Sequence, residues 1–388
     1  MYWWEMFGGV YGFLLFIVLG FYLNKMRYLP RLYNINGVDN GPLVSIIVPV
    51  KNEEDTIEEC LSSLINVKYR SKEIIVVLGK SHDKTEEIVK RFVDKVKIVY
   101  EGVVPNDWVG KNWACYVGYQ HANGKLILFT DGDTIHGEDS LSKIVNITLN
   151  ERADMVTLFP KFIFRSFWER LVTPLIAIFI GISNKVWDLN NDDGKSFLGN
   201  GQYILIRRDV YEKIGGHMSV RNIIIEDYAL AGLIKKHGYR LRGYYAPELL
   251  SVKMYRSFSE LWEGWTKNIY SGIGSIKRTL MLISILLGLL FPYIFTIFAL
   301  LQLLHWSFSL LTLNILPVFL LFITGVIVYK NYDSGILYAF LVPLSILIVI
   351  VLIFNSMLRS ILFDVSWKGR KYHKVKSVKE FLNHVDLY

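Results

Sequence analysis

Lys125-Leu-Ile-Leu-Phe-Thr-Asp-Gly-Asp-Thr134 is the stretch on which the fold turns. Lys125 to Thr130 reads as a short buried β-strand, and it ends directly on two carboxylates, Asp131 and Asp133. Carboxylates one residue apart on a turn can share a hard divalent cation, Mg²⁺ or Mn²⁺, with the phosphates of a nucleotide. A solvated Asp-Gly turn looks the same in sequence, so the stretch takes its meaning from its neighbours.

Upstream, Val44-Ser-Ile-Ile-Val-Pro-Val50, Glu73 to Leu78 and Val96 to Tyr100 are three more strands. Between them Asn52-Glu-Glu-Asp-Thr56 gives an acidic helix start before Ile57, Cys60, Leu61 and Leu64 at helical spacing, and Ser81 to Thr85 opens another helix. Strands alternating with helices predict an α/β fold with a parallel sheet covered on both faces. Ligands of such sheets bind at the carboxyl ends of the strands, where Glu53, the 78–85 loop, Asp131 and Asp133 all fall. Trp108-Val-Gly-Lys-Asn112 adds a lysine, Lys111, beside a glycine that lets backbone approach phosphate. Gly199-Asn-Gly-Gln202 has the small residues of a chain passing close to a ligand. Glu226-Asp227 begins a helix through His237; a carboxylate there is favoured ionised, which suits a general base and equally suits plain helix capping.

The rest of the chain is too apolar for a soluble protein. Of 388 residues 52% are hydrophobic and 20% charged, with a mean hydropathy of +0.31. The 23 Phe, 23 Tyr and 10 Trp exclude a disordered chain, and two cysteines, Cys60 and Cys115, exclude a disulfide scaffold. The net charge of +8 points to anionic lipid or a phosphorylated substrate rather than nucleic acid. Trp3 to Leu23 is apolar except for Glu5 and is followed by Lys25, Arg27 and Arg31, so it reads as an uncleaved anchor over 1–24 with its C-terminal end in the cytoplasm. The stretches 280–304, 307–329 and 335–358 read as further membrane helices within 279–358. Three crossings would put residues 359–388 outside, yet Arg359, Lys368, Arg370, Lys371, Lys374, Lys376 and Lys379 make that segment the most basic flank. The reading favoured here is a multi-pass protein with a cytoplasmic catalytic domain over 42–278, a cytoplasmic tail, and one stretch re-entrant. Residues 162–182 hold an apolar run broken by Pro174, too short to span, and predict an interfacial helix.

Taken together, Pro49-Val-Lys-Asn-Glu53, Asp131-Gly-Asp133, Glu226-Asp227 and the segment around Trp265 resemble membrane-bound family 2 glycosyltransferases of GT-A fold. Gly110-Lys-Asn-Trp-Ala114, Gly201-Gln202, Arg207-Arg-Asp-Val210 and Glu263-Gly-Trp-Thr-Lys-Asn268 look most like the carotenoid- and hopanoid-associated and ceramide-type lipid enzymes. The resemblance implies a nucleotide-sugar donor, a UDP-hexose, with Pro49, Glu53, Asp83, Lys111, Asp131, Asp133 and Lys267 binding it and Asp133 holding the metal. It implies that Asp227 takes the proton of a lipid hydroxyl in one inverting step, with Gly201, Gln202, Glu226, Trp262 and Trp265 on the acceptor side. Two departures stand out. Leu78-Gly79 replaces an aspartate that usually reads the base, and Glu263-Gly264-Trp265 lacks the arginine of processive relatives, leaving Lys267 as the nearby cation. A polyprenyl-phosphate sugar synthase is the rival enzyme reading. A transporter or scaffold is disfavoured because the three C-terminal stretches carry no charge. His136 and His217 read as ordinary histidines rather than ligands.

Overall fold

The computed structural model describes residues 35–301, 308–367, 369–372 and 377–384, with scattered positions before residue 33. The anchor expected over 1–24 lies largely outside them.

The chain opens with β1 (Val44–Val50), α1 (Ile57–Asn66), β2 (Lys72–Leu78), α2 (Thr85–Lys90), β3 (Lys97–Tyr100), α3 (Gly110–Gln120) and β4 (Leu126–Phe129). All four strands read from the sequence are present. Alternate residues of β1 feed opposite cores: Ile46, Val48 and Val50 pack with Leu61 and Leu64 of α1, and Ile47 packs with Ala114 and Val117 of α3. Each fully buried Ile, Val or Leu contributes about 1.5–3 kcal/mol, so the alternation fixes the register. The acidic start of α1 is not a cap, because Thr56 makes no capping hydrogen bond with its side chain. Residues 51–56 instead form a loop.

There follow β5 (Thr134–His136), α4 (Ser140–Asn150), β6 (Met155–Phe159), β7 (Lys161–Phe162), α5 (Phe167–Ser183), β8 (Ile204–Arg207), α6 (Arg208–Lys213), α7 (Gly216–Ser219), α8 (Glu226–Lys236), β9 (Leu241–Tyr245) and β10 (Leu250–Val252). The main sheet has the order β3-β2-β1-β4-β8-β6-β9, and β5, β10 and β7 form a smaller one. The expectation of a parallel sheet holds except at β8, which runs antiparallel to both β4 and β6. The reason is local: β8 leaves the Gly199–Gln202 loop, which is fixed at the end of the sheet where β4 arrives. A strand leaving that end must oppose one that enters it.

The α/β unit closes with α9 (Phe258–Ile273), and among the described residues three helices then make up the apolar part: α10 (Ile276–Leu301), α11 (Phe308–Asn331) and α12 (Val342–Leu362). Among the described residues two helical segments, Ile276–Ile294 and Ile336–Leu362, are long and apolar enough to cross a membrane; Ile315–Asn331 is apolar but shorter. α11 ends against the α/β unit, where the Tyr329 hydroxyl donates to the Leu171 carbonyl at 2.8 Å and Lys161 pairs with Asp333 at 2.8 Å. α12 touches the same unit near both of its ends. The Ser345 hydroxyl donates to the Leu171 carbonyl of α5 at 2.8 Å, and Asn355 and Ser356 bond to Thr266 of α9 at 2.9 and 2.5 Å. Beyond it a hairpin, β11 (Val365–Trp367) with β12 (Arg370–Tyr372), and α13 (Val378–Asn383) fold back. Val378 is fully buried in the core beside α8, and Lys236 bonds the Leu382 carbonyl at 2.6 Å. The basic segment is therefore docked on the α/β unit.

Candidate active site

A cavity of about 420 Å³ opens at the carboxyl ends of β1 and β4. The strand order reverses there, because β1 has β2 on one side and β4 on the other, and α/β sheets bind ligands at such a crevice. Pro49, Glu53, Lys111, Asp131, Asp133, Gly201, Gln202, Asp227 and Lys267 line it.

The charged centre is built by Lys111. Its ammonium lies 2.7 Å from Asp131 and 2.8 Å from Glu226, joining the end of β4 to the start of α8. Asn112, next in sequence, donates to the carbonyls of Val220 and Ile223 at 2.8 Å each, which clamps the loop leading into Glu226-Asp227. Asp227 itself takes the Gly201 and Tyr228 amides at 2.7 Å each. Burial and the neighbouring Glu226 charge push its carboxyl up to about 6, against the pull of Lys111 and the two amides. Burial opposes the charge on Lys111, but Asp131, Glu226 and Asp227 hold its ammonium well above the ordinary lysine range. Burial, helped by the charge of Lys111, brings Lys267 down to about 8.

The glycines of Gly199-Asn-Gly-Gln202 are needed, though for the protein's own sake. A Cβ at Gly199 would sit 2.1 Å from the Asp227 carbonyl, and one at Gly201 2.6 Å from the Lys111 ammonium. Any side chain there would displace the Asp227 backbone or the Lys111 ammonium.

Four residues singled out from the sequence do not line the cavity. Asp83 ties loops together: it accepts the Glu54 amide at 3.2 Å and the Thr85 amide at 3.1 Å, so the β1–α1 loop is held by the loop after β2. Glu226 is buried behind Asp227 as the partner of Lys111. Trp265 is buried against Tyr255 where α9 meets α12, and Trp262 packs on Phe258 in the same seam. Both tryptophans sit in the packing between the α/β unit and the apolar helices, because α9 turns its other face to the cavity through Glu260, Glu263, Lys267 and Asn268. His136 is buried, bonded to Thr130 at 3.0 Å and driven down to about 3 by desolvation, so it stays neutral; His217 is likewise buried, against Tyr211.

Sequence reasoning missed Arg165, Tyr255, Trp367 and Arg370 on the cavity wall. The first two are fixed by Glu169, whose carboxylate accepts the Arg165 and Tyr255 amides at 2.8 and 2.9 Å. The pattern Ser166-x-x-Glu169 was a legible signal, since Ser166 caps α5, and Ser257 and Ser377 cap α9 and α13 in the same way. Trp367 and Arg370 had no local signal.

Among the described residues no group of three or more His, Cys, Asp or Glu side chains is placed to hold a metal ion. Asp133, with Glu53 also on the cavity wall, offers hard oxygen, which fits a cation that takes one or two carboxylates and completes its shell with phosphate and water.

The chain is similar to known proteins over much of its length. The family model Glycosyl transferase family 2 matches residues 45–215. A 4,4'-diaponeurosporenoate glycosyltransferase of Staphylococcus haemolyticus (strain JCSC1435) is 25% identical over 273 residues, 70% of this chain and 72% of that protein. The protein of the same description from Staphylococcus aureus (strain USA300) is 27% identical over 245 residues, 62% of this chain and 64% of its own length. Among solved structures, a mannosyltransferase from Pyrobaculum calidifontis in complex with GDP-Man and Mn²⁺ is similar over 91% of this chain and 98% of its own, at 16% identity and a TM-score of 0.49. Residues 45–215 run from β1, through Lys111 and the Asp131 turn, past the Gly199–Gln202 loop that bonds to Asp227, so the part of the chain that builds most of this cavity is the part that matches the glycosyl transferase family 2 model.

Proposed function

We propose that the protein transfers a single sugar from a nucleotide sugar, a UDP-sugar, to the hydroxyl of a membrane lipid with inversion at the anomeric carbon. The observation that carries this reading is Asp227, a half-buried carboxylate facing the cavity and oriented by two backbone amides. In the proposed step the acceptor oxygen bonds to the anomeric carbon while Asp227 takes its proton. The bond from that carbon to the diphosphate breaks, and the nucleoside diphosphate leaves with the electron pair. Attack opposite the leaving group inverts the centre. A Mg²⁺ or Mn²⁺ held by Asp133 would supply positive charge to the departing diphosphate. Lys111 keeps Asp131 and Glu226 paired, and Lys267 of α9 adds a cation to the cavity wall.

The acceptor reading rests on the relatives, which are named for 4,4'-diaponeurosporenoate, and on the apolar helices beside the cavity. Residues 1–24 would anchor the chain, 42–278 catalyse, 279–358 meet the bilayer and 359–388 return to the catalytic unit. We place a crossing hairpin at α10–α11 and lay α12 along the catalytic face, because both regions of α12 bond to that face. An even number of crossings after residue 276 leaves the basic segment in the cytoplasm with the catalytic unit, as its charge favours.

A second acceptor chemistry is favoured by the relatives' name, which denotes a carboxylate. An acceptor that is already an anion, whether this carboxylate or the phosphate of a polyprenyl phosphate, has no proton to lose and needs no base. Asp227→Asn separates the cases. For a hydroxyl acceptor kcat falls about 10²- to 10⁴-fold while the nucleotide sugar still binds. The wild-type rate then rises with pH and levels off above about 6, where Asp227 is ionised. Near-normal turnover with a flat pH profile would remove Asp227 from this role and leave the anionic acceptor.

A further inference from the structure

The cavity has a further charged pair, at the end away from Asp131. The Arg370 guanidinium of β12 donates to Glu101, just beyond β3, at 2.7 Å. Both residues line the cavity, and the Glu101 side chain is only 5% exposed. Two glycines leave room for the pair: a Cβ at Gly110 would lie 1.6 Å from an Arg370 nitrogen, and one at Gly79, at the end of β2, 2.9 Å from a Glu101 oxygen. The hairpin that brings Arg370 is seated by Val365, buried against Val109 and Ile224. Tyr372 is hydrogen-bonded to the Gly110 backbone, and Trp367 stacks on the Lys267 ammonium at 4.3 Å.

We infer that Glu101 and Arg370 read the base of the donor nucleotide and select a base with a ring N–H beside a carbonyl, as in uridine or guanosine. This rests on the reading of the cavity as a nucleotide-sugar site. The placement follows from the sheet. The Asp131 turn lies at the end of β4, and Gly79 and Glu101 lie at the ends of β2 and β3, two and three strands away. At about 4.8 Å per strand that is about 10–15 Å, the span of a nucleotide laid across the strand ends with its phosphates toward Asp131. A diphosphate would be repelled by Glu101, whereas an uncharged base edge is matched by the pair. The carboxylate accepts the ring N–H and the guanidinium donates to the adjoining carbonyl. Adenine and cytosine present a bare ring nitrogen to that carboxylate and are disfavoured.

The test is competitive binding of UDP, GDP, CDP and ADP to the full chain in nanodiscs, in the wild type and in Glu101→Gln and Arg370→Gln. UDP or GDP should bind about 10- to 100-fold more tightly than CDP and ADP, the value of a hydrogen bond to a charged group. Both variants should shrink that ratio toward one, and because the readout is a ratio, a partly unfolded sample does not change it. A wild type that binds all four alike, or variants that keep the wild-type ratio, would overturn the assignment. A wild type that binds none of them would instead overturn the nucleotide-sugar reading itself.

Discussion

Asp131 and Arg370 face one cavity from opposite kinds of structure. Asp131 stands at the end of a four-residue strand whose buried residues, Leu126 to Phe129, are its own sequence neighbours. Arg370 arrives on a three-residue strand whose seat is made by Val109 and Ile224, far away along the chain. The first position is set by local pattern and the parallel pairing of β1 with β2 and β4; the second depends on helices α9 to α12 folding back. Damage to the first region should therefore remove chemistry, and damage to the second should loosen the site while leaving its reactive centre in place.

The largest effect is expected at the centre of the locally specified half. Lys111→Met leaves Asp131, Glu226 and Asp227 without their shared cation. The Lys111 side chain is 34% exposed, so solvent screens part of the loss; leaving the buried Glu226 without its cation costs about 2 kcal/mol, which a thermal melt of the purified protein would register. The sign on pH is also fixed. Lys111 holds the Asp227 carboxyl down, so its removal raises that pKa further above about 6 and moves the rising limb of the rate profile to higher pH. An unmoved limb would show that the lysine and Asp227 do not communicate.

A smaller effect is expected for Asp133→Ala. If Asp133 holds the cation, the apparent affinity for the nucleotide sugar falls by about tenfold or more, roughly 1.4 kcal/mol, and the dependence on added Mn²⁺ is lost with it. The tail hairpin is untouched, so discrimination among nucleotide bases should survive. Full activity of the wild type in excess chelator would dismiss the metal.

How much of this was legible in the sequence follows the same division. The strands ending at Val50, Leu78 and Phe129 were readable because a buried strand needs an apolar run, and such runs are local. The Asp131 turn, Lys111 and Asp227 were readable as an ordered set of motifs on those elements. What could not be read was direction and facing. β8 looks like any other short apolar strand, and only the fixed Gly199–Gln202 loop makes it antiparallel. Trp262 and Trp265 share α9 with Lys267, yet the helix sends the tryptophans into the seam and the lysine to the cavity. The place of the basic segment could not be read from charge alone, because its seat beside α8, through Val378 and Lys236, is made by contacts far apart along the chain.

The smallest effects should mark that seam. Ser356 enters the hydrogen-bond ladder of α9: its hydroxyl donates to the Thr266 carbonyl at 2.5 Å and accepts the Tyr270 amide at 2.9 Å, standing between a carbonyl and the amide four residues on. Ser356→Ala removes both bonds, but α9 can then close part of its own ladder, so the cost should be about 1 kcal/mol. Ser345 donates to the Leu171 carbonyl, which also receives the Tyr329 hydroxyl, so Ser345→Ala leaves that carbonyl satisfied and should cost about half as much. Melting temperatures in detergent should rank Ser356→Ala below Ser345→Ala, and both below the wild type. If α12 crossed the bilayer independently of the catalytic unit, neither hydroxyl would matter to the melting of that unit, and equal temperatures for all three proteins would favour that topology.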